Sequence, residues 1–258
     1  MREAVSRLGA FFVNSFITIV QYLNFSKTIL LKIIHIKILN PSIFLVFLRQ
    51  IYFTGVQIFP IFFFISLAIG VALVGVLTNF LAGLGAYEQI GQILSVLIIR
   101  ELSPLITAVL LSLRSATAVS AEIAVMNISG EMETLRAYNI DPAEYLFLPR
   151  IAAGLICMVS LSTFFAFISI IGGYFLLSFN MNITFDYLLS LIFDYLSFND
   201  VFAFVYKTFL LGFMIISLPI FTSMNVKNAN TEIPIALLKG MMRLFYGIIF
   251  VEITGLFI

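Results

Sequence analysis

Long stretches without charge constrain this fold more than any other feature. Gln50 to Tyr87 and Ile151 to Phe185 carry no charged residue, and Gln89 to Leu113 carries only Arg100 and Glu101. A helix needs about 20 apolar residues to cross a bilayer, so each stretch is long enough. Only 10% of the 258 residues are charged, against about 25% in soluble domains. The sequence therefore predicts an all-α polytopic membrane protein with a single membrane domain, residues 1–258.

Five crossings account for the apolar segments. We place them at roughly 55–82, 89–125, within 151–185, 208–226 and 241–258. Together they form a predicted five-helix transmembrane core, residues 55–258, preceded by an interfacial and elbow region, residues 1–50.

The distribution of Lys and Arg predicts the orientation of these crossings. The basic N-terminus and the segments 126–150 and 227–243 carry positive charge, whereas the connections 83–90 and 179–200 contain no Lys or Arg. Positive segments remain in the cytoplasm, so the N-terminus is expected to be cytoplasmic and the C-terminus periplasmic. Lys207, near the outer end of the fourth crossing, is an exception to this pattern.

The N-terminal stretch Leu8 to Ser26 is uncharged but has a polar stripe. The stripe recurs at helical spacing and comprises Asn14, Thr18, Gln21 and Asn24. A helix with one polar face favours a position in the membrane interface over a further crossing. A sixth crossing here would also place Arg2 and Arg7 outside the cell. The alternative is a polar stripe that faces a partner helix.

Arg100 and Glu101 lie in the middle of the second predicted crossing. A charge at that depth costs roughly 2.5–3.5 kcal/mol, so such residues usually face a bundle interior or an aqueous path. Pro104 removes a backbone donor and is expected to kink the helix beside the pair. Adjacent helical residues point about 100° apart, so the two side chains need different surroundings. Two interpretations remain open: a polar cavity, or an ion pair that ties helices together.

A charged segment, residues 127–141, follows the second crossing, and a helix begins directly after it. Asp141 is a good N-cap, Pro142 suits the first helical position, and Glu144 stands three residues after the cap. Gly130 lies within the charged segment and is expected to weaken a helix there by about 1 kcal/mol relative to alanine.

Patterns for catalysis and cofactors are missing from the sequence. The phosphate loop GxxxxGK[ST], the nucleophile elbow and the zinc helix motif do not occur. Cys157 and His35 are the only residues of their types, so no metal site is expected, and no basic cluster indicates nucleic acid binding. We expect no catalytic residue and no cofactor in this chain, so another chain or an ion gradient would supply energy. A gradient-driven transporter or channel would use Arg100, Glu101 and Glu252 as its path.

An ordered set of short motifs resembles the permeases of Mla-type (MlaE/YrbE) lipid ABC transporters. The motifs are Arg100-Glu101-Leu102-Ser103-Pro104, Leu110-Leu111-Ser112-Leu113-Arg114, Ala121-Glu122-Ile123, Asp141-Pro142 and Pro149-Arg150. The resemblance implies a permease that pairs with a second copy of itself and with two ATPase subunits, which hold ATP and Mg. It also implies an MCE-domain lipid-binding protein on the outer face, phospholipid as cargo, and the bacterial inner membrane, with a plastid envelope as the alternative.

The resemblance also implies roles for individual residues. Arg100 and Glu101 would lie near the lipid pocket. The segment 127–141 would be a cytoplasmic coupling helix that docks on the ATPase through Glu131, Met132, Glu133, Leu135 and Arg136. The remaining motif positions would be structural: Pro104, Arg114, Glu122, Asp141, Pro142, Pro149 and Arg150.

Overall fold

A computed structural model describes residues 2–33, 40–84, 90–181, 184, 190, 194–226 and 232–258. All regular secondary structure in these residues is helical. Five helical stretches in this part are long and apolar enough to cross a membrane: Pro41–Leu77, Gln92–Ile128, Ala143–Phe175, Phe198–Ser223 and Glu232–Gly255. The predicted all-α polytopic fold with five crossings is confirmed.

The α-helices among the described residues differ widely in length. In chain order they are α1 (Arg2–Ile33), α2 (Pro41–Ile51), α3 (Phe59–Leu84), α4 (Ile90–Leu94), α5 (Ser103–Leu111), α6 (Thr117–Ile128), α7 (Glu131–Ala137), α8 (Leu148–Met181), α9 (Phe198–Ser223) and α10 (Glu232–Gly255). Four π-helical stretches connect some of them: Tyr52–Val56, Ser95–Leu102, Ser112–Ala116 and Ala143–Phe147.

Three of these π-helical stretches end shortly before a proline. Pro60, Pro104 and Pro149 each follow one of them within a few residues. A proline has no N–H, and its ring clashes with the carbonyl four residues earlier. A π turn relieves that clash because it bonds each N–H to the carbonyl five residues back, as Ser103 does with Ile98. The bend expected at Pro104 thus coincides with a π-helical stretch that contains Arg100 and Glu101.

The helix α8 lies at the centre of the bundle and packs against α3 on one side and α9 on the other, while α9 also packs against α10. Glycines allow the closest approach of α3 to α8. A Cβ atom on Gly70 would lie 2.2 Å from the backbone oxygen of Ser169, and one on Gly173 would lie 2.3 Å from Val74 Cγ2. These two helices therefore meet almost backbone to backbone, as small residues permit between membrane helices.

The helix α1 extends well beyond the predicted Leu8 to Ser26. One side of it packs on the bundle, where the hydroxyl groups of Tyr22 and Ser217 lie 2.8 Å apart and Phe25 contacts Phe147 and Phe221. The apolar side chains on its other side are exposed, including Phe16, Ile19 and Leu23. The helix is confirmed, while its position in the membrane interface stays a prediction.

The fourth and fifth crossings begin earlier than predicted, at Phe198 and Glu232 rather than near 208 and 241. The prediction placed Asp200 in the connection before the fourth crossing and Lys207 at the outer end of that crossing. Both side chains are buried and paired, so the helix continues through them. Ser197 and Asp200 close the start of α9 as a capping box.

Parts of the connections used to predict orientation lie outside the described residues. These parts are 85–89, 182–183, 185–189, 191–193 and 227–231. His35 also lies outside the described residues.

Candidate functional site

Arg100 and Glu101 lie in the π-helical stretch Ser95–Leu102, where they meet side chains from α9 and α10. Arg100 Nη1 donates to Asp200 Oδ1 at 3.3 Å, and Arg100 Nη2 donates to the backbone carbonyl of Gly255 at 3.2 Å. Arg100 thus connects the second crossing to the start of the fourth and the end of the fifth. The Gly255 carbonyl belongs to the last turn of α10, where unpaired carbonyls favour a cation.

Lys207 joins two carboxylates from different helices. Its Nζ atom lies 2.5 Å from Glu101 Oε2 and 2.7 Å from Glu252 Oε2. The Lys207 side chain is 0% exposed, so its charge depends entirely on these two partners. Gly255 makes room for it, because a Cβ atom there would lie 2.1 Å from Lys207 Cε.

We call this set of five charged residues the charge network. It comprises Arg100, Glu101, Asp200, Lys207 and Glu252. Two cations face three carboxylates, so the network has a net charge of −1 when all five are ionised. Asp200 lies in the first turn of α9 and Glu252 in the last turn of α10, so the network is near the ends of these helices, and the pairing offsets the cost of burying charge there.

The charge network keeps some unused hydrogen-bonding capacity. Arg100 Nε and Glu101 Oε1 lie 3.2 Å apart, yet their angle does not make a hydrogen bond. Glu252 Oε1 also lacks a hydrogen-bond partner among the described residues. The side chains of Arg100 and Glu101 are 17% and 23% exposed. The unpaired atoms themselves are buried, so only other parts of the Arg100 and Glu101 side chains reach the surface.

Sequence reasoning found only part of this network. Arg100 and Glu101 were selected for their depth, and Glu252 was considered as part of an ion path. Asp200 was taken for a residue of the outer connection, and Lys207 for an exception to the charge pattern. That exception was the available signal, because a lysine within a membrane segment usually pairs with another ionisable residue.

The charged segment predicted as a helix over 127–141 contains a shorter one, α7. It is bounded by two residues with left-handed backbone, Gly130 with φ of 77° and Asn139 with φ of 57°. Gly130 occupies the N-cap of α7, where that backbone suits glycine. The expectation that Gly130 weakens a helix was wrong, because Gly130 ends one helical segment and begins the next.

The five residues selected on this segment divide between two faces of α7. Met132 is buried in the hydrophobic core and Leu135 packs partly against that core. Glu131, Glu133 and Arg136 are exposed. The first pair holds α7 on the bundle, while the three charged side chains are available to another molecule.

Polar contacts attach both ends of the α7 segment to the bundle. Asn127 Nδ2 donates to the backbone carbonyls of Met224 and Val226, at 3.1 and 2.6 Å. At the other end, Asp141 Oδ1 accepts from the Ala143 N–H at 2.9 Å, which confirms the predicted cap. Asp141 also accepts a hydrogen bond from Lys32 of α1.

The ion pair between Lys32 and Asp141 changes the pKa of both groups. The hydrogen bond to Asp141 raises the pKa of Lys32 above its ordinary 10.5. Burial raises the pKa of Asp141, but the hydrogen bonds from Lys32 and Ala143 outweigh burial, and the pKa falls below its ordinary 3.8. Both groups therefore carry charge across the neutral range.

The remaining motif residues lie along the second and third crossings. Arg150 Nη2 donates to Glu122 Oε1 at 2.6 Å and links α6 to the start of α8. Pro104, Pro142 and Pro149 are buried. Arg114 lies in the π-helical stretch Ser112–Ala116 and is partly exposed. No cluster of three metal-ligating side chains occurs among the residues that the structure describes.

These features define a class of protein. It is a multi-pass α-helical membrane protein with a partly accessible charge network between its crossings and a short, charged helix outside them. Ionisable residues between membrane helices commonly mark a substrate or ion pathway, which makes a transport protein the class that these features indicate.

Comparison with known sequences gives the family. The profile of the Permease MlaE family matches residues 47–257, so the chain belongs to that family. A probable ABC transporter permease protein of Rickettsia typhi is 27% identical over 180 residues, which cover 69% of this chain and 70% of the relative. The intermembrane phospholipid transport system permease protein MlaE of Haemophilus influenzae is 33% identical over 129 residues, 48% of each chain. The chloroplastic protein trigalactosyldiacylglycerol 1 of Arabidopsis thaliana is 32% identical over 111 residues, 43% of this chain and 32% of the relative.

Proposed function

We propose that this chain is the permease subunit of an ABC transporter that moves glycerophospholipids between the inner and outer membranes. The observation that carries the proposal is the family match over residues 47–257, which includes all five crossings apart from the first residues of α2. The Haemophilus influenzae relative, named as an intermembrane phospholipid transport permease, supports the cargo.

Energy in this proposal comes from partner chains. Two ATPase subunits hold ATP and Mg, and two copies of this chain form the membrane core. An MCE-domain lipid-binding protein sits on the outer face. The complex resides in the bacterial inner membrane with the N-terminus of this chain in the cytoplasm.

The short helix α7 suits the role of docking site for the ATPase. Its exposed side chains Glu131, Glu133 and Arg136 can form salt bridges with another protein, while Met132 and Leu135 fix it to the bundle. Because Asn127 and Asp141 tie both flanks to α9 and α1, a movement of α7 would be transmitted to several crossings.

The charge network suits contact with a lipid headgroup. The Arg100 and Glu101 side chains are partly exposed, so part of each can contact another molecule. Replacing Arg100 or Glu101 with Ala is expected to lower lipid transfer between proteoliposomes while the complex remains assembled. Transfer at the unaltered rate in both variants would leave these two residues only the role of tying helices together.

The proposal as a whole is tested by purifying the chain from its native membrane in mild detergent and identifying the co-purifying proteins by mass spectrometry. A stoichiometric ATPase is expected. A homo-oligomer without ATPase, under conditions that preserve other ABC complexes, would contradict the proposal and favour the gradient-driven alternative.

The docking role is tested in the same purification with the variant Glu131→Lys/Glu133→Lys. Reversing two exposed charges is expected to reduce the recovered ATPase. The new lysines would carry the same sign as the ATPase groups with which Glu131 and Glu133 are proposed to form salt bridges. Glu232→Lys is a control, since Glu232 is an exposed acid on the same predicted side but lies on α10. Equal ATPase recovery from both variants would count against docking through α7.

A further inference from the structure

A groove with basic and polar walls lies between α1, the end of α9 and the start of α10. Its volume is about 420 Å³. Six of the side chains that line it are polar or basic: Thr18 and Gln21 of α1, Thr222 of α9, Asn225 just after α9, and Lys239 and Arg243 of α10. No residue of the charge network lines it.

A glycine contact shapes this groove. A Cβ atom on Gly240 would lie 2.7 Å from Thr222 Oγ1, so α10 approaches α9 closely at this point. Lys239 stands beside Gly240, and Arg243 follows one helical turn later on the same face. The close approach therefore brings two cations of α10 to the end of α9.

Positive charge prevails in the groove. Lys239 and Arg243 are exposed, and neither forms an ion pair with any residue in the described ranges. Glu232 also lines the groove, which leaves a net charge of +1. Such a site favours an anion that can accept hydrogen bonds from the two cations.

The groove lies at the end of the bundle that carries α7. Asn127, just before α7, bonds to Met224 and Val226, and the groove is lined by Asn225 and Val226. The positive-inside rule makes this end cytoplasmic. Lys239 is 13 residues from Glu252 along α10, or about 20 Å at 1.5 Å per residue. The groove is thus a separate place from the charge network.

We propose that this groove binds the phosphate-bearing headgroup of an anionic phospholipid from the cytoplasmic leaflet. Basic pockets between membrane helices on the cytoplasmic side recognise such headgroups by charge. Exposed apolar side chains beside the groove, Ile235, Leu238 and Met242, provide a surface for the acyl chains. The proposal is independent of the cargo of the transporter, because it concerns a site on the outside of the bundle.

The test is native mass spectrometry of the purified chain titrated with phosphatidylglycerol or phosphatidylcholine. The wild-type chain is expected to retain phosphatidylglycerol preferentially. A basic residue near a membrane surface contributes roughly fivefold in affinity, so Lys239→Gln/Arg243→Gln should weaken phosphatidylglycerol binding by about 30-fold.

Two further variants separate the groove from general charge effects. Lys27→Gln/Arg49→Gln removes the same charge from exposed residues that do not line the groove, and should retain wild-type binding. Ala236→Trp fills the groove without changing charge and should lose binding. Equal loss in the groove and control double variants, or full binding by Ala236→Trp, would overturn the proposal. Tighter binding of inorganic phosphate alone than of phosphatidylglycerol would also overturn it, because the groove would then be a site for a free anion.

Discussion

Lys207 is the residue on which the buried carboxylates depend. It is fully buried and contacts both Glu101 and Glu252. A charge that loses its only partner inside a protein is far more costly than a pair that is absent altogether. The stability of the end of the bundle that holds the charge network should therefore respond strongly to the loss of one partner and weakly to the removal of both partners.

Lys207→Met is expected to lower the free energy of unfolding by about 3–5 kcal/mol, because Glu252 loses its counter-charge while still buried. Lys207→Met/Glu252→Gln should recover part of this loss. Denaturant unfolding in detergent micelles measures both. Lys27→Met is the control, since Lys27 is exposed and should matter by less than about 0.5 kcal/mol. A Lys207 variant as stable as the Lys27 variant would contradict the inferred role.

The ion pair between Lys32 and Asp141 should produce a defined pH dependence. The depressed pKa of Asp141 gives stability that is complete above the ordinary pKa and lost as pH falls through the lower folded value. The raised pKa of Lys32 gives stability that is complete below the ordinary pKa and lost as pH rises through the higher folded value.

Comparison of the wild-type chain with Lys32→Gln measures this contribution. The difference in unfolding temperature is expected to be constant between about pH 5 and pH 9 and to shrink below about pH 3. Because both side chains are substantially exposed, the difference should be small and should decrease with salt. A difference that grows as the pH falls would exclude this pair as its source.

The contact between α3 and α8 depends on the absence of side chains at its glycines. Gly70→Ala is expected to destabilise the protein by roughly 1–3 kcal/mol, because the new methyl group meets the backbone of Ser169 and must push two helices apart. Gly83→Ala is the matched change on the same helix, where nothing lies within 4 Å of the added carbon. It should leave stability unchanged or raise it slightly. The unfolding temperatures of the two variants are compared with that of the wild-type chain. Equal changes in both variants would contradict the close contact between α3 and α8.

Helix positions could be predicted from the sequence wherever apolar runs decide them, and not where charges are buried. The runs at Gln50 to Tyr87 and Ile151 to Phe185 located two crossings well. The start of α9 was missed by about ten residues, since Asp200 and Lys207 are stabilised by partners that no local pattern reveals. The π-helical stretches were also missed, although Pro60, Pro104 and Pro149 marked the places where an α-helical hydrogen bond is lost.

The orientation of the whole molecule in its membrane can be tested by cysteine labelling. With the buried Cys157 replaced by Ser, a cysteine introduced at Phe198, which is 82% exposed, should react with an impermeant maleimide in spheroplasts. A cysteine at Tyr138, 75% exposed beside α7, should react only after the inner membrane is permeabilised. The reverse result would place α7 outside the cytoplasm and would contradict its docking role.

Long-range pairing also limited what could be predicted about the candidate site. Arg100 and Glu101 were identifiable because two charges interrupt an apolar run. Their partners stand about a hundred or more positions later in the chain, at Asp200, Lys207 and Gly255. Only the arrangement of the crossings brings them together. The groove of Lys239 and Arg243 likewise depends on how α10 meets α9 at Gly240.

The π-helical stretches change how this sequence should be drawn on a helical wheel. A π turn bonds to the fifth residue instead of the fourth, so it holds about one extra residue and offsets later side chains by roughly 100°. A projection with a fixed angle per residue therefore loses its phase at Tyr52–Val56, Ser95–Leu102, Ser112–Ala116 and Ala143–Phe147. To decide whether a residue before such a stretch and one after it share a helix face, this offset must be added to the angle between them. Deleting a single residue there would remove the extra residue, so the stretch could close as an α-helix while the rest of the crossing keeps its neighbours.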